Sequence, residues 1–136
     1  MGETEDIIAY ALSKLGKTST FRLSRTLLLL DLQWEKEHGK RRTGLHYGLF
    51  PPAFYVEEFP DMLLNMDGVE KVMEKDESGT EKGYFVFHGD APDMDEETKA
   101  LLDSIIEETK ALDDHELNMR VVNSEEYRRA LEEKGK

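Results

Sequence analysis

The sequence predicts a mainly α-helical fold with one small β-hairpin, which places it in the α+β class. A leucine-rich stretch near the N-terminus repeats apolar residues at helical spacing, and its apolar face is wide enough for a buried central helix. That face consists of Leu23, Leu27, Leu30 and Trp34. Two β-prone runs follow at residues 69–73 and 84–87, with Ser78 and Gly79 between them. With 136 residues and no low-complexity linker, the chain should form a single compact domain spanning residues 1–136.

The first two helices are predicted to pack as a hairpin. Residues 5–15 carry apolar side chains at helical spacing, and Gly16 supplies a stop signal. Residues 18–20 offer hydroxyl groups that can cap the second helix, which should extend to about His38 and end at Gly39. Because the turn between them is short, the two helices are expected to lie against each other.

Residues 40–52 contain two glycines and two prolines, so we predict a loop. Its apolar side chains should pack against the core. The prolines at its end suit the first turn of a helix expected over residues 53–59. Pro60 disfavours the α conformation for the residue before it, so Phe59 should mark a break or kink. A second helical piece is then expected over residues 60–66.

After the hairpin the chain is predicted to be helical again. Asp93, with Glu96 three residues later, resembles a capping box that starts a helix continuing to about Leu112. The pattern over residues 117–122 leaves the type of that short segment open, and Ser124 should cap a last helix. Three helices followed by a hairpin match the element order of a winged helix. We therefore expect a winged-helix-like core covered by C-terminal helices.

The composition favours a soluble, cytoplasmic protein without catalytic chemistry. The chain has no cysteine, which excludes disulfides and thiolate metal sites, and its longest apolar run is far too short for a membrane span. The four histidines fall in different segments without the spacing of a zinc helix, and no nucleophile or phosphate-loop motif occurs. We therefore expect a non-enzyme with no cofactor, no metal and no membrane attachment.

Basic residues concentrate in one region of an otherwise acidic chain. Residues 14–42 hold eight basic and three acidic side chains, a local balance of +5 in a chain whose net charge is −12. In a winged helix the third helix would enter the DNA groove, but here it carries acids and no base, so phosphates would repel it. For this reason a DNA-binding transcriptional regulator is only the alternative interpretation of the fold. Its candidate nucleic-acid contacts are Arg22, Arg25, Lys40, Arg41 and Arg42.

Aromatic residues around the predicted break favour a protein-binding surface. Phe54, Tyr55 and Phe59 cannot all easily face one core from a short kinked helix. Aromatic residues at a surface bordered by charge are typical of protein interfaces. The competing interpretation is that the C-terminal helices cover them.

Asp31 is an acidic residue inside the leucine-rich helix. A buried carboxylate needs partners, because removing them costs several kcal/mol. We expect Asp31 to accept a hydrogen bond from a loop amide or to pair with a base such as Arg25 or Arg42. This makes it a structural anchor rather than a catalytic group.

The motifs in this region resemble those of the Panacea (SocA-like antitoxin) domain. That family has a leucine-rich helix ending in an aliphatic-Ala-Asp motif, then a charged stretch, a Tyr-Gly pair, a Thr-Gly-x-x-Tyr element and a Gly-Pro-containing turn into a helix. The corresponding positions here are residues 29–31 (Leu-Leu-Asp), 37–39 (Glu-His-Gly), 43–47 (Thr-Gly-Leu-His-Tyr) and 50–52 (Phe-Pro-Pro). The segment between Tyr47 and Pro52 is shorter than in the family, and the family's Tyr-Gly-Pro turn is not intact in this sequence.

The resemblance implies a small α-helical domain with a β-hairpin and no cofactor. Members are antitoxins that neutralise a toxin by direct protein contact, and some act as adaptors to a protease. The acidic charge of the chain agrees with a protein partner, in particular a basic one. We therefore predict a non-enzymatic, antitoxin-like interaction module.

Overall fold

The structure, a computed structural model, describes residues 3–48 and 55–134. These ranges contain six α-helices and two antiparallel sheets of two strands each, which confirms the mainly α-helical α+β fold. No helix in them is long and apolar enough to cross a membrane. In chain order the elements are α1 (Glu3–Leu15), α2 (Thr20–His38), β1 (Tyr47–Gly48), β2 (Tyr55–Val56), α3 (Phe59–Asn65), β3 (Val69–Lys75), β4 (Glu81–Phe87), α4 (Glu96–Thr109), α5 (Asp114–Val122) and α6 (Glu125–Lys134).

The two ends of α2 are set by local capping interactions. The Oγ of Ser19 accepts a hydrogen bond from the backbone N–H of Arg22 (3.2 Å). Gly39 closes the helix in the left-handed conformation (φ 78°) and donates its N–H to the carbonyl of Glu35 (2.8 Å). A side chain would be strained at that φ, so glycine suits the position. Both ends agree with the prediction.

The hydrophobic core is built around α2. The helices α1, α4, α5 and α6 and the strand β2 all contact it. Full burial of one leucine side chain contributes about 1.5–3 kcal/mol, so this helix supplies much of the stabilising free energy. Its fully buried leucines are Leu23, Leu27, Leu28 and Leu30.

The predicted β-hairpin is present, and its strands are longer than the β-prone runs that indicated it. The connecting turn is held by Asp76, whose Oδ1 accepts hydrogen bonds from the amides of Ser78 (2.9 Å) and Thr80 (3.0 Å). Thr18, in the turn between α1 and α2, forms a bridge to Phe85 of β4, with N–H···O bonds of 3.0 and 2.7 Å in the two directions. This bridge fixes the hairpin to the N-terminal helices.

Residues 55–58 form the strand β2 and a turn, so the helix predicted over residues 53–59 is wrong there, and its predicted start lies outside the described residues. The strand β2 pairs with β1 instead, which places Tyr47 opposite Val56. Both side chains are buried, so the pairing satisfies the backbone while it removes apolar surface from water. Helix α3 begins only at Phe59, with Pro60 in its first turn, where no hydrogen bond is lost.

The C-terminal helices pack on the core, and one of them starts later than predicted. The N-cap of α4 is Asp95 and not Asp93, because Oδ2 of Asp95 accepts a hydrogen bond from the amide of Thr98 (2.9 Å). Residues 117–122, whose type the sequence left open, belong to the helix α5. It begins at a capping box that Asp113 and Glu116 form. The cap of the last helix is the predicted one.

Candidate functional site

A groove opens between the N-terminal end of α2, the strand β2, the helix α3 and the β3–β4 hairpin. It encloses about 590 Å³, which lies within the usual range for binding pockets. Residues from five separate parts of the chain line it. We call the following set the groove: Thr20, Phe21, Ser24, Arg25, Val56, Phe59, Leu64, Lys71, Gly83 and Phe85.

The floor and one edge of the groove are apolar. Phe59 and Phe85 lie in the floor and are part of the hydrophobic core. Leu64, at the edge, exposes 63% of its surface, and Met73 on the adjacent strand is also exposed. An exposed apolar rim beside an apolar depression is a feature of surfaces that contact other molecules.

The charged groups that line the groove are both cations. The guanidinium of Arg25 lies 3.6 Å from the centroid of the Phe21 ring and donates hydrogen bonds to Oδ1 of Asn118 (3.2 Å). Burial lowers the pKa of Arg25 to about 10, so the side chain keeps its charge at neutral pH. The second cation, Lys71, is exposed on β3. Among the residues that the structure describes, no aspartate or glutamate belongs to the lining.

Gly83 creates the space in which Lys71 crosses the hairpin. A Cβ atom at Gly83 would lie 3.1 Å from Cε of Lys71 and 3.4 Å from the sulfur of Met73. The first distance is a tight contact, so a residue with a side chain would push the lysine stem aside, whereas the second is an ordinary van der Waals contact. The absence of a side chain at this position of β4 therefore lets the lysine stem lie flat across the strand.

The sequence predicted an exposed aromatic surface of Phe54, Tyr55 and Phe59, and the structure corrects this prediction at Phe59, the one side chain of the three that it describes. Phe59 exposes only 4% of its surface and belongs to the core, so it does not lie on an open face. The physical reason is that a turn at residues 57–58 separates β2 from α3, and α3 then begins at Phe59 with this ring packed in the core. Tyr55 contributes its backbone to β2, while its side chain and the whole of Phe54 lie outside the described residues.

Two of the arginines proposed for nucleic-acid contact are engaged within the protein. Arg22 donates hydrogen bonds to the backbone carbonyls of Thr109 (3.2 Å) and Leu112 (2.5 Å), at the C-terminal end of α4 and in the turn that follows it. Arg25 is buried in the wall of the groove. Neither guanidinium is therefore presented on an open basic surface.

The other three basic residues lie after α2, where the loop meets α4. Arg42 pairs with Asp95 (2.9 Å) and with Glu3 (2.8 Å). Arg41 approaches a carboxylate of α2 (3.6 Å), and Lys40 is exposed. The five proposed contacts are thus distributed over separate environments.

Asp31 is fully buried and binds the loop that follows α2. Its Oδ1 accepts hydrogen bonds from the amides of Arg42 (3.0 Å) and Thr43 (2.8 Å). Its Oδ2 accepts hydrogen bonds from the hydroxyls of Thr43 (2.5 Å) and Tyr47 (2.6 Å). Burial raises the pKa of Asp31, and the four hydrogen bonds oppose that rise. The expected contact with a loop amide is confirmed, and Arg42 reaches Asp31 through its backbone.

One group of side chains has the composition of a metal site. Glu37, His38 and Glu97 place one ligand atom each within 4.8 Å of one another, and Nε2 of His38 lies 2.8 Å from Oε2 of Glu97. All three side chains are exposed, and exposed groups of this kind are common without an ion. The sequence did not indicate the group, because α4 brings Glu97 to the end of α2 from a distant position. We assign it no metal role.

No protein-family model matches this chain, and comparisons with curated proteins and with solved structures also give no match. The resemblance to the Panacea domain therefore stays a prediction that rests on motifs within about residues 23–63. The functional conclusion has to come from the geometry of the groove.

Proposed function

We propose that the protein is a non-enzymatic interaction module whose groove binds a peptide segment of a protein partner. One observation carries this proposal: the lining combines the exposed Leu64 with the cations Arg25 and Lys71, without a described carboxylate. The chain has 30 acidic and 18 basic residues, so a lining with two cations and no described carboxylate differs from the average charge of the chain. The bound segment should carry an apolar side chain next to an aspartate or glutamate.

Each part of the groove has a distinct role in this binding. The apolar side chain of the partner covers Leu64 and the floor above Phe85, and burial contributes about 25 cal/mol for each Å² of apolar surface. Arg25 is buried and held in place by Phe21 and Asn118, so it supplies a fixed positive charge in the wall of the groove rather than a direct contact. Lys71 is exposed and supplies a mobile charge at the edge.

The resemblance to antitoxins makes a toxin the class of partner that we propose. The net charge of −12 attracts a partner that is basic overall and speeds its approach. The groove then accepts a local acidic and apolar segment of that partner. The net charge of the chain thus acts while the partner approaches, and the charge of the groove acts once the partner's segment is bound.

Binding of DNA has weaker support than binding of a protein. The helix α3 would be the reading helix of a winged helix, but it carries Asp61 and directly follows Glu57 and Glu58. Acidic side chains in that position repel phosphate. The guanidinium groups of Arg22 and Arg42 are also occupied by protein acceptors.

Selection of binding peptides tests the proposal. A random peptide library displayed on phage is selected against the full chain, and in parallel against the variants Lys71→Glu and Lys75→Glu. We expect the wild-type chain to enrich peptides with an acidic residue beside apolar ones. Lys71→Glu should shift the selection towards basic residues, because its charge in the groove is reversed.

Lys75→Glu is the matched control, since Lys75 is an exposed lysine of the same strand outside the groove. It should retain the wild-type preference. A wild-type selection without enrichment of acidic residues would contradict the proposal. So would a Lys71→Glu variant that selects the same peptides as the wild-type chain.

A further inference from the structure

The outer edge of the β3–β4 hairpin carries backbone groups that point away from the sheet. Thr18 lies beside β4 and uses both backbone groups of Phe85. It donates its N–H to the Phe85 carbonyl (3.0 Å) and accepts a hydrogen bond from the Phe85 N–H (2.7 Å). In an antiparallel ladder, two facing residues either bond to each other or both turn away. Lys71 faces Phe85, so the N–H and the carbonyl of Lys71 also point away from β4.

The same orientation recurs at every second residue of β3. Val69, Met73 and Lys75 therefore also turn their backbone groups to the outer edge. The hydrogen bond from the N–H of Val69 to the carbonyl of Met66 (3.3 Å) agrees with this orientation. Lys71 and Met73 are exposed, and among the residues that the structure describes none bonds to their outward backbone groups. An open strand edge of this kind is a template for pairing with another chain.

The open edge adjoins the groove. Lys71 and Met73 lie on the same face of the hairpin as Phe85, because residues two apart in a strand share a face. Lys71 lines the groove, and Met73 exposes 52% of its surface beside it. Lys75 continues this face, but it faces Glu81 of β4 and lies outside the groove. A strand added along β3 therefore meets an exposed methionine and a lysine whose facing residue carries no charge.

The charges of β3 disfavour pairing with a second copy of this chain. In an antiparallel pair of identical strands, residues with outward backbone groups must face each other. Three registers pair most of the strand, with Lys71, Val72 or Met73 on the symmetry axis. The like-charged pairs that face each other in these registers are, in the same order, Lys71 with Lys71, Glu70 with Glu74, and Lys71 with Lys75. Like charges directly opposite one another destabilise a sheet, so the edge suits a strand of a different protein.

We propose that the partner's segment binds as an added β-strand along the outer edge of β3, an inference that rests on the proposed function. Its backbone bonds to the N–H and carbonyl groups of Lys71 and Met73, which supplies affinity without regard to sequence. On the groove face, an apolar side chain covers Met73, and an aspartate or glutamate pairs with the ammonium of Lys71. Because side chains alternate between the two faces of a strand, one residue separates the apolar and the acidic residue of the partner.

Binding of a defined peptide to the full chain and its β3 variants tests this binding mode. The probe is the fluorescein-labelled peptide Thr-Val-Leu-Thr-Glu-Val-Thr-amide, in which Leu precedes Glu because an antiparallel strand meets Met73 before Lys71. Fluorescence anisotropy should show saturable binding to the wild-type chain. Met73→Pro should weaken binding at least about tenfold, because proline lacks the N–H and its ring occupies the edge. Met73→Ala keeps the N–H and should bind more tightly than Met73→Pro.

Lys75→Pro is the matched control for the proline variant. It removes an outward N–H of the same strand outside the groove, so it should bind the probe like the wild-type chain. Neither proline removes a hydrogen bond of the ladder, because both N–H groups point outward. The unfolding temperatures of the two variants should therefore be similar. If Met73→Pro were unstable, peptides with methylated backbone amides would decide, since they leave the protein unchanged.

Methylation of single peptide amides should weaken binding with a period of two residues. The amides of Leu and Glu face β3 and should not tolerate a methyl group, while the amide of the Thr between them should tolerate it. Moving Glu next to Leu, with the same composition, should also weaken binding, because the two side chains then lie on opposite faces. Absence of saturable binding of the probe would overturn the added strand, and so would equal sensitivity of all three amides.

The library selection keeps this inference distinct from the proposed function. If that selection enriches acidic and apolar residues while Met73→Pro binds the probe like the wild-type chain, the added strand is refuted and peptide binding in the groove stands. If the selection enriches no such peptides, the proposed function fails and the added strand fails with it.

Discussion

The carboxylate of Asp31 joins the central helix to the loop that follows it. Four donors surround its two oxygens, two of them backbone amides and two of them the hydroxyls of Thr43 and Tyr47. Burial and the nearby charge of Asp31 raise the pKa of Tyr47 well above its usual value, so this hydroxyl stays protonated. A hydroxyl can accept as well as donate, which decides how substitutions at Asp31 should behave.

Asp31→Ala should lower the free energy of unfolding by about 3 kcal/mol, because it leaves buried amides without an acceptor. Asp31→Asn should cost less, since its Oδ1 still accepts from both amides and its NH₂ can donate to the hydroxyls of Thr43 and Tyr47. Chemical denaturation of the two variants measures the difference. Equal stability of Asp31→Ala and wild type would contradict the role of Asp31 as an anchor.

Asp95 is the residue whose ionisation should respond most clearly to a single substitution. Although burial raises its pKa, hydrogen bonds from Thr98 and Arg42 outweigh that effect and bring the pKa to about 2. The folded state therefore binds fewer protons at this site than the unfolded state does. The stabilisation is present above the unfolded pKa of about 4 and is lost as the pH falls through about 2.

Arg42→Met should raise the pKa of Asp95 towards its ordinary value, because the guanidinium is lost while the apolar stem remains. NMR titration of the Asp95 carboxyl measures this directly. The stability of the variant should also fall less steeply than that of wild type between about pH 4 and pH 2. An unchanged pKa of Asp95 would show that Thr98 alone sets it.

At the scale of elements, the sequence predicted the structure well where local interactions decide it. The ends of α2 follow from Ser19 and Gly39, which act within one turn of the helix. The strands β1 and β2 were missed because each has only two residues, and their pairing depends on the tertiary contact of Tyr47 with Val56. No periodicity within the sequence reports such a pair.

The start of α4 shows a finer limit of local reasoning. Asp93 and Asp95 both precede acidic residues, so both are plausible caps by sequence. The structure assigns the cap to Asp95, which also pairs with Arg42 across the fold. That pairing depends on where α2 ends relative to α4, and the spacing of residues along the sequence gives no information about this position.

Asp95→Ala should therefore destabilise the protein by about 1 kcal/mol, the usual effect of losing an N-cap. Asp95→Ser should recover part of the loss, since its Oγ can accept from the amide of Thr98. Asp93→Ala is the control at an almost fully exposed side chain and should change little. Thermal unfolding of the three variants checks this, and a larger effect at Asp93 would refute the assignment.

For the whole molecule, the sequence predicted a mainly α-helical, acidic domain but not the groove. Its decisive members, Phe21, Leu64, Lys71 and Gly83, come from α2, α3, β3 and β4. None of them belongs to a recognisable motif in its own segment, and only the packing of the β3–β4 hairpin beside α2 and α3 brings them together. The sequence pattern indicated the basic residues as candidate contacts instead, and several of these form hydrogen bonds or ion pairs within the protein.

The most direct test of the proposed function is the affinity of an enriched peptide for two matched variants. Leu64 and Met119 are both exposed large apolar residues, at 63% and 41%, but only Leu64 lines the groove. Leu64→Asp should weaken peptide binding at least about tenfold, which corresponds to about 1.4 kcal/mol. Met119→Asp should bind like the wild-type chain in the same calorimetric titration. Equal affinities for both variants and the wild-type chain would contradict binding in the groove.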